Sequence, residues 1–257
     1  MTNRLTVVKV GGKVVETPAS LHDLLTRFTQ LEGARILVHG GGRSATAMAA
    51  RLGLEAKMVD GRRITDRDML DVVVMVYAGL VNKNIVAALQ ALGVNALGIT
   101  GADLDYMRSV KRPVKEIDFG FVGDVATVNT DLLEMLISRN VVPVLAPLTH
   151  DGTGQMLNTN ADAIAAEAAI AFSRNFQTEL VYCFEKRGVL SDANDDDSVI
   201  PSITVRQFAE LKASGTVNAG MLPKLESSFS ALQRGVHTVR ITSVEGIACG
   251  GTRLEKE

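Results

Sequence analysis

Lys9 is followed by Val10, Gly11 and Gly12, and a second glycine run, His39-Gly40-Gly41-Gly42, begins thirty residues later. A lysine beside two glycines suits transferable phosphate. The ammonium is a compact charge, and residues without a side chain let an oxyanion approach the backbone. The plainer reading is a lysine at a strand end followed by an ordinary turn. In the second run the glycines lead into Arg43 to Leu52, which reads as a helix, so backbone N–H groups and the positive end of its dipole would face an anion. Arg63 lies between Gly61 and a helix start, where its planar fork could take a carboxylate bidentately; Arg62 reads as a solvated charge. Asn158, Asn160 and Asp162 precede an alanine-rich stretch. Helix capping accounts for one asparagine and the aspartate but leaves Asn158 without a role. Lys224 follows Pro223 in the first turn of a predicted helix, where its charge opposes the dipole and a nearby anion would offset the cost.

The elements that must hold these residues alternate between strands and helices. Leu5 to Val10 is apolar except for Thr6 and Lys9, the pattern of a strand buried on both faces in a parallel sheet. Lys9 and the glycines then fall at its carboxyl end, where open α/β sheets bind ligands. Further strands are predicted at Arg35–Val38, Val94–Ile99, Val141–Ala146, Leu180–Phe184 and Val239–Thr242, with helices between them. Thr65-Asp66-Arg67-Asp68 opens a long helix to about Ala91 that is apolar on more than one face and calls for burial, a subunit interface being one way to cover it. Thr100–Val128 reads as a β-hairpin excursion and His150–Gly154 as a hairpin turn. Thr204 with Gln207 is a capping-box signature. Strand–helix alternation throughout argues for one sheet with helices on both faces.

The 257 residues carry a net charge of −2, with 46% apolar and 4% aromatic residues and no tryptophan. That balance offers no basic footprint and few stacking platforms for nucleic acid. No run approaches about 20 uninterrupted apolar residues, so no membrane span is expected. Met1 to Arg4 lead directly into the first strand, so neither a signal peptide nor a targeting extension is expected, and the protein should be cytoplasmic. Cys183 and Cys249 are isolated, and the four histidines show no ligand spacing, so neither a disulfide framework nor a zinc site is expected.

Several motifs fail on inspection. Gly40 to Ala45 fits the dinucleotide fingerprint, with Asp60 twenty residues beyond Gly40, but the strand before Asp60 is only Met58-Val59. An NAD-dependent oxidoreductase stays a minor alternative. No G-x-S-x-G turn accompanies His39-Gly-Gly-Gly, which removes a hydrolase. There is no Walker motif, and the acidic stretch from Asp192 lacks the glycine and final glutamate of a calcium loop.

Taken together, Lys9-Val-Gly-Gly12, His39-Gly-Gly-Gly42, Asp60-Gly-Arg-Arg-Ile-Thr65, Gly120-Phe-Val-Gly-Asp-Val125, Asn158-Thr-Asn-Ala-Asp162 and Gly220-Met-Leu-Pro-Lys224 resemble the amino acid kinase superfamily and, within it, the N-acetylglutamate kinases. The resemblance spans essentially the whole chain. It implies a three-layer αβα sandwich on a mainly parallel central sheet, with an acylglutamate-binding and dimerising lobe at 1–173 and an ATP-binding lobe at 174–257. It implies ATP-dependent phosphorylation of the γ-carboxylate of an N-acylglutamate, with Mg²⁺ held mainly by nucleotide phosphates and no protein metal site. Lys9 and Lys224 would flank the transferred phosphoryl group, with Asp162 holding both ammoniums. Gly11, Gly12, Gly41 and Gly42 would offer backbone N–H groups, Gly188 would join the ATP-binding set, and Arg63 with Asn158 would fix the substrate's α-carboxylate. The expected assembly is an arginine-insensitive homodimer, since so little chain precedes the first strand.

The chain departs from the family pattern in two places. Where relatives have a strand ending in Thr or Ser and then Asp-Val-x-Gly, it reads Cys183-Phe184-Glu185-Lys186-Arg187-Gly188, and Ala219 replaces a common glycine. The first departure touches the expected contacts to adenosine and motivates a second functional reading, a ligand-binding regulator on a kinase fold.

Overall fold

The computed structural model describes residues 3–59, 61–192, 194–214 and 221–257. Asp60, on which the dinucleotide reading turned, and Ala219 and Gly220 of the Met-Leu-Pro-Lys motif lie outside the described residues. In chain order the elements are β1 (Arg4–Val10), α1 (Gly12–Glu16), α2 (Pro18–Thr29), β2 (Ala34–His39), α3 (Gly42–Arg51), β3 (Met58–Val59), β4 (Arg62–Arg63) and α4 (Arg67–Val73). A π-helical stretch, Val74–Val81, joins α4 to α5 (Asn82–Ala91). There follow β5 (Ala96–Ile99), β6 (Met107–Lys111), β7 (Gly123–Val128), α6 (Asp131–Ser138), β8 (Val142–Leu145), β9 (Leu148–His150), β10 (Met156–Asn158) and α7 (Ala161–Phe172). The last are β11 (Gln177–Cys183), β12 (Ser202–Thr204), α8 (Val205–Ser214), α9 (Leu222–Gln233), β13 (Thr238–Thr242) and β14 (Thr252–Glu255). The result is an α/β fold with a mainly parallel central sheet.

Two compact units divide the chain: Met1–Ile36 with Ala165–Glu257, and Leu37–Ile164. The boundary predicted at 173/174 is not where they part. The reason is strand pairing, because β1 runs parallel to β11 from Arg4 opposite Gln177 to Val10 opposite Cys183. The first strand therefore belongs with the last third of the chain.

In the first unit the strand order is β12-β14-β13-β11-β1. All neighbours are parallel except β13 and β14. Leu5, Val7, Val8 and Val10 are fully buried, so adjacent positions, which point to opposite faces, are both covered. In the second unit β2, β8 and β5 run parallel. A separate sheet there, β10-β9-β6-β7, contains the predicted hairpin excursion as the antiparallel pair β6 and β7.

Local signals hold well. Asp66 accepts a hydrogen bond from the Met69 N–H at 2.9 Å and so caps α4. Thr204 and Gln207 form the reciprocal capping box, with N–H groups donating to Gln207 Oε1 at 2.9 Å and Thr204 Oγ1 at 3.2 Å. The short elements α1, β12 and β14 carry no periodic signal, and the π-helical stretch interrupts what the sequence presents as one continuous helix. The run Arg67–Ala91 is, by length and composition, the one helix among the described residues that could cross a bilayer, with a mean hydropathy of 1.8. Val72, Val73, Ile85 and Leu89 are nonetheless buried within the protein, while Met75 and Leu80 are about half exposed.

Candidate active site

The predicted site residues fall into two groups, one in each unit. In the first unit, Lys9 sits at the penultimate position of β1 and is only 7% exposed. Its ammonium lies 4.8 Å from the centroid of the Phe184 ring, and the Lys224 ammonium, from the first turn of α9, lies 3.9 Å from the same centroid. Lysines 215 residues apart in sequence therefore converge on one aromatic ring. Phe184 follows directly on β11, stacks on Tyr182 with centroids 6.1 Å apart and planes 3° apart, and donates its N–H to Thr242 O at 2.8 Å. Nearby, Lys13 pairs with Glu185 at 2.7 Å across an exposed rim.

Gly11 departs from its predicted role. Its N–H donates to Cys183 O at 2.9 Å, extending the β1–β11 ladder, so that amide is committed and cannot serve a phosphate. What Gly11 supplies is clearance, since a Cβ there would stand 3.2 Å from the Phe184 ring. Gly12 opens α1, where an amide has no acceptor within the helix. Gly188 is buried against Val199 and Thr252, and Thr252 Oγ1 accepts from the neighbouring Val189 N–H at 2.8 Å. Cys183 is buried, and its pKa is pushed up to about 12, first by desolvation and then by the charge of Glu245, with Lys9 opposing.

In the second unit, Arg63 is 7% exposed and lies on β4, a strand of a two-residue ladder, not on a loop. Its Nη2 donates to Gly42 O at 2.7 Å and to Thr46 Oγ1 at 2.8 Å, and its Nη1 faces Met69 Sδ at 3.7 Å. The guanidinium is thereby anchored beside the N-terminus of α3, while Arg62 is exposed as expected. Gly42 opens α3, so its amide has no acceptor within that helix. Gly41 packs under Tyr77 of the π stretch; a Cβ there would come within 2.9 Å of the ring. Asn158 ends β10 and is 8% exposed. Its Nδ2 donates to Thr65 Oγ1 at 2.9 Å and its N–H to Phe121 O at 2.9 Å, while the Phe121 N–H donates to Thr65 O at 2.7 Å. The Gly120-Phe121 turn is thus stitched between the segments carrying Arg63 and Asn158. Asp162 stands in the first turn of α7, its N–H donating to Asn160 Oδ1 at 2.7 Å. Asn160 is therefore the capping asparagine and Asn158 the one left for another role.

His39, Asn82 and Lys83 form a network that the sequence reading missed. His39 Nδ1 is 2.7 Å from Gly40 O, an acceptor, so Nδ1 carries the proton and Nε2 accepts from Asn82 Nδ2 at 3.1 Å. Asn82 Nδ2 also donates to Val144 O at 2.9 Å, and Lys83 Nζ donates to Gly98 O at 2.7 Å. Burial, aided by the charge of Lys83 and opposed by the Gly40 carbonyl, depresses the His39 pKa to about 4. A neutral, fully bonded imidazole is structural, as its lack of ligand spacing suggested. Among the described residues, no group of three or more His, Cys, Asp or Glu side chains is placed to hold a metal.

Residues 4–243 match the profile of the amino acid kinase family. The chain belongs to that family. This amino acid kinase is 61% identical to acetylglutamate kinase of Phocaeicola vulgatus and 62% identical to acetylglutamate kinase of Bacteroides thetaiotaomicron, each alignment covering all of both chains. The acetylglutamate kinase of Methanopyrus kandleri is 40% identical over 95% of this chain and 97% of its own length. Among solved structures, N-acetylglutamate synthase of Neisseria gonorrhoeae superposes with a TM-score of 0.84 at 20% identity, over all of this chain and 60% of that one. Carbamate kinase of Giardia lamblia gives 0.72 at 13% identity over 98% of each chain. At those identities the two structures speak for the fold alone. Membership in this family removes the NAD-dependent oxidoreductase reading.

Proposed function

We propose that this amino acid kinase transfers the γ-phosphoryl group of ATP to the γ-carboxylate of N-acetyl-L-glutamate, a step of arginine biosynthesis. The observation that carries the proposal is end-to-end identity above 60% with two acetylglutamate kinases. The chemistry of the two groups of residues agrees. A γ-carboxylate, with a pKa of about 4.3, is already ionised at neutral pH and needs no general base. What the transfer needs is positioning and charge neutralisation. Lys9 and Lys224 supply two ammoniums for the migrating group, and Asp162 is assigned to hold them. Arg63 and Asn158 are assigned to the α-carboxylate, Gly41 and Gly42 to the substrate side through backbone N–H groups, and Gly12 and Gly188 to the nucleotide side. Mg²⁺ would be carried mainly by the nucleotide phosphates, which it charge-neutralises. Assembly as a homodimer in the cytoplasm completes the reading.

The decisive experiment is ADP release with N-acetylglutamate and MgATP, run beside Lys9→Ala and Lys224→Ala. Each replacement should lower kcat by about 10²–10³, the scale of one preorganised donor lost, while KM for the acylglutamate moves little. Nucleotide and acylglutamate binding without ADP release would instead establish the regulator reading. A panel of N-acyl groups, acetyl against succinyl, assigns the acyl specificity.

A further inference from the structure

We propose that Phe184 is a positioning residue that gathers the Lys9 and Lys224 ammoniums on its aromatic ring while adding no charge of its own. The inference rests on the two-lysine reading above and extends it to the residue that organises the pair. The geometry is direct: 4.8 Å and 3.9 Å from one ring centroid, both within cation–π range. The two ammoniums are thus no farther apart than the sum of those distances, and like charges that close repel. A ring quadrupole attracts a cation yet carries no net charge. A second carboxylate in its place, added to the one assigned to the pair, would draw the ammoniums together as well, but would cancel more of the field that a migrating phosphoryl group needs.

Phe184 is itself locked in place. Tyr182 stacks beneath it and is fully buried in β11, opposite Lys9 in the strand register. The bare Cα of Gly11 admits its edge, and its N–H is tied to Thr242 O. A ring fixed from three sides can pre-organise two flexible side chains, which otherwise would lose rotamer freedom on meeting the substrate. Lys9, at 7% exposure, is desolvated enough for a cation–ring contact to count.

Single-turnover phosphoryl transfer in the full-length enzyme, with mono-, di- and trifluorinated phenylalanine placed at position 184, tests this. Fluorine withdraws electron density from the ring face while nearly preserving its shape, so a role in packing alone leaves the rate flat across the series. The expected result is a stepwise fall in kcat, on the order of tenfold at trifluorination, with KM for N-acetylglutamate barely changed. Phe184→Tyr should stay near wild type, and Phe184→Leu should fall at least as far as the trifluorinated ring. A flat fluorination series alongside crippled Lys9→Ala and Lys224→Ala enzymes would overturn the role of Phe184 and leave the two-lysine mechanism standing. Wild-type transfer by both lysine variants would overturn the mechanism and this inference with it.

Discussion

At the scale of single residues, environment separates neighbours of the same type. Arg62 and Arg63 are adjacent, yet only Arg63 is buried and bonded to Gly42 O and Thr46. Arg63→Ala should therefore raise KM for N-acetylglutamate by about 10-fold or more, since a charged hydrogen-bonding partner is lost, and leave KM for ATP nearly unchanged. Arg62→Ala should leave both within experimental error, and steady-state kinetics showing equal effects at the two positions would remove the clamp assignment. The two cysteines differ in the same way. Cys183 is buried, with its pKa pushed up to about 12, whereas Cys249 is exposed. Since the thiolate is the reactive form, a thiol reagent at pH 8 should modify one cysteine in the folded enzyme and both after unfolding. Peptide mapping that found Cys183 labelled in the native state would contradict the burial.

At the scale of elements, two turns depend on conditions that can be broken separately. Gly120 has φ of +70°, and a Cβ there would lie 2.2 Å from Thr65 O. Gly120→Ala should cost at least about 2 kcal/mol from the left-handed backbone and the clash together. It should also weaken acylglutamate binding, because Thr65 anchors Asn158. Urea unfolding checks the first effect and calorimetry the second. The His39 network is a pH device of known sign. Its folded pKa of about 4 lies below the unfolded value of 6.5, so its stabilisation is complete above pH 6.5 and is lost as pH falls toward 4. Between pH 6.5 and 5 the loss should be roughly 2 kcal/mol. Urea midpoints of wild type and His39→Gln should converge as the pH is lowered, and parallel curves would rule this out.

For the whole molecule, the open question is what covers the long helical run Arg67–Ala91. Met75 and Leu80 are 55% and 48% exposed on a run that buries Val72, Val73, Val76 and Ile85 on another side, and Leu97 on β5 is also exposed. Apolar side chains so placed are expected to meet a second copy of the chain. Light scattering should give a dimer, and Met75→Asp with Leu80→Asp should give a folded monomer. A monomeric wild type would send the apolar face to another partner.

The sequence alone determined the strand–helix alternation, the caps and the residues that stand out as site candidates, because each rests on local pattern. Consecutive valines in β1, Asp66 ahead of Met69 and the Thr204–Gln207 box act within a few residues of themselves. Glycine runs and lone lysines likewise stand out wherever they fall. Only the tertiary structure decided what depends on distant pairing. Parallel register between β1 and β11 places the first strand with the last third of the chain, against the division expected at 173/174. The same register commits the Gly11 amide to Cys183 O, although a glycine two residues after Lys9 looked like an N–H donor to phosphate. Phe184 stood in the sequence only as a departure from the family pattern. That its ring meets both Lys9 and Lys224 follows from where β1, β11 and α9 bring their ends, and no local spacing encodes that convergence.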